Sequence, residues 1–333
     1  MSMAGLTLPS VDGDLDLRVR RRLAEVEDEL DRVAASEFGF VTEAAQHLIH
    51  AGGKRFRPLL VVLGAEFGAP SSSAGDVVAV ATALELIHLA TLHHDDVMDE
   101  AALRRGAPSA NARWDNTVAI LTGDYLFARA SDRMVDLGLE AVRIQSQTFA
   151  RLVEGQIRET LGPTEDEDRL DHYLAVLADK TGSLIATSAR LGAKVAGAPT
   201  DIERVMTEYG EKIGIAFQLS DDVLDIASDA DQSGKTPGTD LREGIPTLPM
   251  LLAQRSTDPA DGRLLELLSG PLPDDARHAE ALSLLRAHPA MDQARAIVQQ
   301  WADEARATLC YLPDIPARDA LAGLCDLVVS RTG

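Results

Sequence analysis

The chain has 333 residues, of which 53 are acidic and 32 are lysine or arginine, for a formal net charge of −21 at pH 7. So acidic a balance argues against a general affinity for nucleic acid or anionic membranes, because both need a basic surface. A hydrophobic share of 45% and a charged share of 26% are ordinary for a globular protein with a sizeable core.

The N-terminal MSMAGLTLPS has no basic region followed by an apolar run, so it does not read as a signal peptide, and residues 1–12 are expected to form a flexible tail. From Asp14 to Ala35, Leu17, Val19, Leu23, Val26 and Leu30 fall on one face and charges on the other, which predicts an amphipathic helix. Helical periodicity continues through Pro58–Phe67, Asp76–Asp99, Thr117–Leu137, Leu139–Glu159, Leu170–Val195, Ile202–Ile226, Thr247–Gln254, Asp275–Ala287 and Met291–Leu309. Alternating β-branched runs bounded by tight turns are absent, so the expected fold is all-α. The breaks at 70–75, 162–167, 197–201 and 269–273 are short, and several end in Thr or Asp where a helix N-cap belongs. None is long enough to be a linker, so one domain over residues 1–333 is expected.

Val77–Leu92 is the most apolar stretch, but Glu85 and His88 interrupt it and it is shorter than the roughly 20 apolar residues of a membrane span. Cys310 and Cys325 belong to no CxxC pair and are expected to pack as small apolar groups near the C-terminus. A cytoplasmic protein with no membrane span and no nucleic-acid partner is the expectation.

One short motif occurs twice, as Asp95-Asp96-Val97-Met98-Asp99 and as Asp221-Asp222-Val223-Leu224-Asp225. On a helix the first and last aspartates share a face, with the second close beside them. Crowded like charges destabilise a helix, and more so within apolar sequence such as flanks both copies, so a cation is expected at each. Carboxylate-only ligation suits hard divalent ions, and magnesium in particular takes one or two carboxylates, waters and substrate phosphates. A single such motif also reads as an exposed acidic turn; two copies in apolar helices favour the metal.

Basic residues gather around the same segments. Gly52-Gly-Lys-Arg-Phe-Arg-Pro58 places three cations beside two glycines at a helix entrance, where backbone N–H groups also favour an anion. Arg104-Arg105-Gly106 follows the first aspartate motif, Lys180-Thr181-Gly182 lies inside an apolar helix, and Gly234–Leu241 is a glycine-bracketed loop carrying Lys235. Each alone reads as solvated surface. With the paired carboxylates they describe a site for more than one phosphate-bearing substrate.

In this order the elements resemble the trans-isoprenyl diphosphate synthases, or polyprenyl synthetases: GGKRFRP at 52–58, IHLATLHHDDVMDE at 87–100, RRG at 104–106, GDYL at 123–126, EGQ at 154–156, KTGSL at 180–184, FQLSDDVLD at 217–225 and GKTPGTDLREG at 234–244. The resemblance runs from about Phe38 to Pro249. It implies an all-α bundle around a deep central cavity with the aspartate motifs facing each other across its mouth, usually in a homodimer. It further implies that Asp95, Asp99 and Asp221 are direct magnesium ligands, with Asp96, Asp222 and Asp225 in support and three Mg2+ ions when substrate is bound. Arg104, Lys180, Thr181, Gln218 and Lys235 would hold the allylic diphosphate; Lys54, Arg57, His88 and Arg105 would hold isopentenyl diphosphate. A lone histidine on an apolar helix is also a common core residue, and for His88 the spacing to Asp95 matches the family.

The implied reaction is ionisation, condensation and elimination, with Asp95, Asp96, Asp99, Arg104, Lys180, Asp221, Asp222 and Lys235 as its catalytic set. Product length would be set by side chains one and two turns before Asp95. Short-chain members commonly carry a bulky aromatic four or five residues upstream, where this chain has Thr91 and Ala90. A medium- to long-chain product is therefore expected, and a long one would need a membrane or carrier for its release. Ala90→Tyr is expected to shorten it. The alternatives are a short-chain farnesyl or geranylgeranyl diphosphate synthase, and a non-catalytic subunit that binds prenyl diphosphates. The six motif aspartates are matched by Lys54, Arg57, Arg104, Arg105, Lys180 and Lys235, so the −21 belongs to the rest of the chain.

Overall fold

Aspartates open several of the helices. In this computed structural model, which describes residues 12–69, 74–227 and 237–332, Asp12 caps α1 (Gly13–Ala34) by accepting from the backbone N–H groups of Asp14 and Leu15 at 3.0 and 3.2 Å. Asp115, Asp168 and Asp274 do the same for α6 (Asn116–Val135), α8 (Arg169–Leu177) and α14 (Asp275–Ala287). Such caps satisfy N–H groups that the first helical turn leaves without a partner.

The remaining elements are α2 (Gly39–His50), α3 (Phe56–Ala65), α4 (Ala74–Met98), α5 (Ala110–Arg113), α7 (Leu139–Leu161), α9 (Ser183–Val195), α10 (Thr200–Ala227), α11 (Thr239–Glu243), α12 (Leu248–Ala253), α13 (Gly262–Leu267), α15 (Ala290–Thr308) and α16 (Pro316–Ser330). Among the described residues the only strands are β1 (Leu103–Arg104) and β2 (Ala107–Pro108), a minimal antiparallel hairpin. The fold is all-α, as expected.

Five helices escape the apolar periodicity. Three of them, α5, α11 and α13, have four, five and six residues, too few for an apolar period to register. A fourth, α2, opens at Phe38 without a side-chain cap. The last, α16, is a regular 15-residue helix that the reading stopped short of; it buries Cys325, whereas Cys310 is exposed rather than packed. The single helix expected over Leu170–Val195 is interrupted by a π-helical turn at Ala178–Gly182.

The chain divides into two compact units. The first takes in the described residues up to Ala150 together with Leu184–Gly210 and Leu309–Gly323. The second takes in Arg151–Ser183, the described part of Glu211–Thr308, and the residues from Leu324 onward. In the first unit α4 packs chiefly against α6, with α1 and α3 beside it. At 25 residues α4 is long and apolar enough to cross a membrane, longer than the apolar run alone indicated. It is nonetheless a core helix of this unit, with Leu84, Leu86 and Leu89 fully buried alongside the polar Glu85, His93 and Asp96. In the second unit α12 packs against α15, and Arg286 ties α14 to the end of α10 by donating to the Ile226 carbonyl at 2.7 Å.

Candidate active site

The first acidic motif ends α4. From Val77 to Ala90 that helix is almost wholly buried, yet His88, Thr91, Leu92 and Asp95 are partly exposed and Asp99 is open. These residues recur every three to four positions, so they form one stripe down one face. His94 and Val97, off this stripe, and Met98 are accessible as well, so the helix emerges from the core toward its C-terminal end. Asp96 lies off the stripe and is fully buried, with Oδ1 accepting from Arg104 Nε at 2.5 Å and Oδ2 lacking a hydrogen-bond partner. Burial holds its carboxyl above the usual range, and the Arg104 guanidinium opposes that rise. Arg104 also stands 3.9 Å from Asp99.

Arg57, His88 and Arg105 share one electrostatic environment in this unit. Burial, reinforced by Arg57 and Arg105, pushes the His88 pKa well below its ordinary value, so the ring is neutral. Burial also lowers Arg57 to about 10, and Glu85 opposes the drop. Arg57 therefore stays charged at neutral pH, with its Nε buried and without a hydrogen-bond partner. Lys54 is exposed on the loop between α2 and α3. Arg105 is turned toward that loop, donating to the Leu48 and Gly52 carbonyls. Ala90 is buried at 1% exposure, and Thr91 donates its hydroxyl to the His88 carbonyl at 2.8 Å.

The second motif lies near the end of α10, in the other unit. Asp222 is buried and accepts from the Tyr173 hydroxyl, from Gln218 Nε2 at 3.2 Å and from the Leu248 N–H at 3.5 Å. Burial raises its carboxyl to about 7, against the pull of the Tyr173 hydrogen bond, and burial likewise pushes the Tyr173 phenol well above its usual range. Asp221 is ion-paired with Arg331, whose guanidinium lies 5.1 Å from the Phe217 ring centroid. Asp225 accepts from the Thr239 and Asp240 N–H groups at 3.3 Å, which anchors α11. Lys235 lies outside the described residues.

Lys180 and Thr181 sit in the π turn, a local widening of the helix that often accompanies function. Asp179 in the same turn accepts from Arg151 Nε at 2.6 Å, and Lys180 donates to Glu159 at 2.6 Å. The EGQ triplet of α7 explains how the turn fits. A methyl on Gly155 would come within 2.7 Å of the Lys180 backbone nitrogen, so only glycine lets the two backbones approach this closely.

Residues 39–285 match the polyprenyl synthetase family. The chain belongs to that family. It is 51% identical to the nonaprenyl diphosphate synthase of Mycobacterium tuberculosis over 95% of this chain and 94% of that one. Among solved structures it resembles a geranylgeranyl pyrophosphate synthase of Corynebacterium glutamicum, complexed with calcium and isoprenyl diphosphate, at 42% identity and a TM-score of 0.86 over 97% and 98% of the two chains. A decaprenyl diphosphate synthase of Rhodobacter capsulatus matches at 34% identity and a TM-score of 0.85 over 96% and 99%. The chain is thus a trans-prenyltransferase, a prenyl diphosphate synthase. The family uses a divalent metal and joins isopentenyl diphosphate to an allylic diphosphate.

The synthase offers donors that suit such a metal. All six motif side chains are carboxylates, and Asp96 Oδ2 is a buried oxygen with no partner, the kind of atom a cation or its water satisfies. Among the described residues no three acidic, histidine or cysteine side chains converge on one point.

Tyr173, Arg331, Arg55 and Glu85 are residues of these sites that motif reading missed. Arg331 is separated from its partner by more than a hundred residues and carries no local signal. Glu85 carried one: a carboxylate in the middle of an apolar helix must have a counter-charge.

Proposed function

We propose that this synthase condenses isopentenyl diphosphate with an allylic diphosphate, head to tail and trans, and repeats the step to build a medium- to long-chain polyprenyl diphosphate. The observation that carries this reading is the accessible stripe of α4, which runs from Asp99 and Asp95 past Thr91 to His88 without an aromatic side chain to block it. Asp95, Asp99 and Asp221 would hold Mg2+ directly, with Asp96, Asp222 and Asp225 in support, and three ions would accompany the bound substrates. Magnesium, when bound, draws charge from the diphosphate and makes it a better leaving group. Arg104, Lys180, Thr181, Gln218 and Lys235 hold the allylic diphosphate and steady the charge it gathers as its C–O bond breaks.

Lys54, Arg57 and Arg105 bind the second diphosphate, with neutral His88 offering a hydrogen bond. The double bond of isopentenyl diphosphate then attacks the allylic cation, and a proton passes to the departing diphosphate. Apolar walls exclude water that would trap the cation. Ala90 and Thr91 set the depth available to the growing chain. The enzyme acts as a homodimer of single-domain chains in the cytoplasm, and its long product leaves to a membrane or carrier.

Purified enzyme with Mg2+, labelled isopentenyl diphosphate and farnesyl diphosphate should form butanol-extractable label with no second subunit added. Addition of EDTA should abolish it and excess Mg2+ restore it. Elongation only after a partner protein is supplied would point to the non-catalytic-subunit alternative.

A further inference from the structure

The loop between α2 and α3 is gripped from its inner side by charges. Arg55 stands at φ 48°, in the left-handed region that a non-glycine residue adopts only when its surroundings compel it. Its side chain is 5% exposed, and all three guanidinium nitrogens are engaged. Nε and Nη2 donate to the two oxygens of Glu27 at 2.5 and 3.0 Å, Nη1 donates to Glu85 at 3.0 Å, and Nη2 also donates to the Ile49 carbonyl at 3.0 Å. Glu85 is itself buried and lies 3.9 Å from Arg105 Nη2. Arg105, left-handed at φ 55°, completes the grip through the Leu48 and Gly52 carbonyls. At Gly53, φ 154°, a methyl would come within 2.9 Å of the Arg105 guanidinium carbon.

A buried ion network of this kind is a poor way to gain stability, since apolar residues of the same volume commonly do as well. What it does supply is fixed geometry. Lys54 immediately precedes Arg55 and Arg57 follows two residues on, in the first turn of α3, so the backbone conformation that Arg55 is held in sets where both side chains leave the chain. We propose that Arg55, Glu27 and Glu85 are positioning residues that present Lys54 and Arg57 to isopentenyl diphosphate without touching it. This rests on the assignment of that diphosphate to Lys54 and Arg57 made above.

The test compares steady-state constants of the full-length enzyme and two variants. Arg55→Gly keeps a residue at ease in the left-handed region while deleting the network. Its KM for isopentenyl diphosphate should rise about tenfold or more, while kcat at saturation and the KM for the allylic diphosphate stay within about twofold. Glu27→Gln leaves the Arg55–Glu85 pair intact and should show the same split at about threefold. Binding of inorganic pyrophosphate to metal-free enzyme, followed by calorimetry, should weaken in the same order. An isopentenyl diphosphate KM unchanged in both variants, or a proportional fall of all constants, would overturn the proposal. If Arg55→Gly does not fold, Glu27→Gln decides by the same criteria. A rise confined to the allylic diphosphate would overturn the assignment of the loop, and the proposal with it.

Discussion

Asp95→Ala and Asp221→Ala should each lower kcat by about three orders of magnitude while the far-UV circular dichroism stays that of the parent. Both aspartates are partly exposed near the end of a long helix, and neither side chain is part of the apolar core. Their loss therefore removes a negative group from the site without opening a cavity. For Asp221 the variant also releases Arg331, whose ion pair with it is partly exposed and worth little to stability. Asp222→Ala should behave differently. It strips the buried Tyr173 hydroxyl of its acceptor, so it should lower the thermal midpoint as well as the rate. Rates within tenfold of the parent for Asp95→Ala or Asp221→Ala would show that the carboxylate in question carries no metal.

Thr91→Tyr should change the product rather than the rate. Thr91 lies one turn before Asp95 on the accessible stripe of α4, where a phenol ring would stand in the path of the lengthening chain. Product should shorten toward farnesyl or geranylgeranyl diphosphate, read by mass spectrometry of the dephosphorylated alcohols. With dimethylallyl diphosphate as primer, the first condensation should be largely unaffected. Ala90→Tyr is expected to shorten the product too, but at a cost. Ala90 is 1% exposed in the contact of α4 with α6, and overpacking such a site costs about 1–3 kcal/mol. Parent-length product from a folded Thr91→Tyr enzyme would mean that the chain does not pass this position.

The repeated aspartate motif, the basic loop at 52–58 and the length of most helices were legible in the sequence because they rest on local spacing. The i, i+4 aspartates and the apolar period of α4 need nothing from the rest of the fold. What stayed hidden depends on contacts between distant segments. Arg331 pairs with Asp221 and Tyr173 with Asp222 only because segments far apart in sequence meet within the second unit. The π turn at Ala178–Gly182 leaves the apolar period of its helix nearly intact, so a period count passes through it; its trace was the nearby EGQ triplet, whose glycine has meaning only beside Lys180. Lys54, Arg55 and Arg57 of the 52–58 segment look equivalent as charges. Packing separates them, turning Arg55 inward onto Glu27 and Glu85 while Arg57 keeps a nitrogen without a partner.

Product length of the unmodified enzyme tests the central claim most directly. Purified enzyme incubated with Mg2+, farnesyl diphosphate and excess isopentenyl diphosphate should yield, by mass spectrometry after dephosphorylation, all-trans prenols longer than geranylgeraniol as the dominant products. A product distribution that stops at farnesol or geranylgeraniol under the same excess would contradict the account.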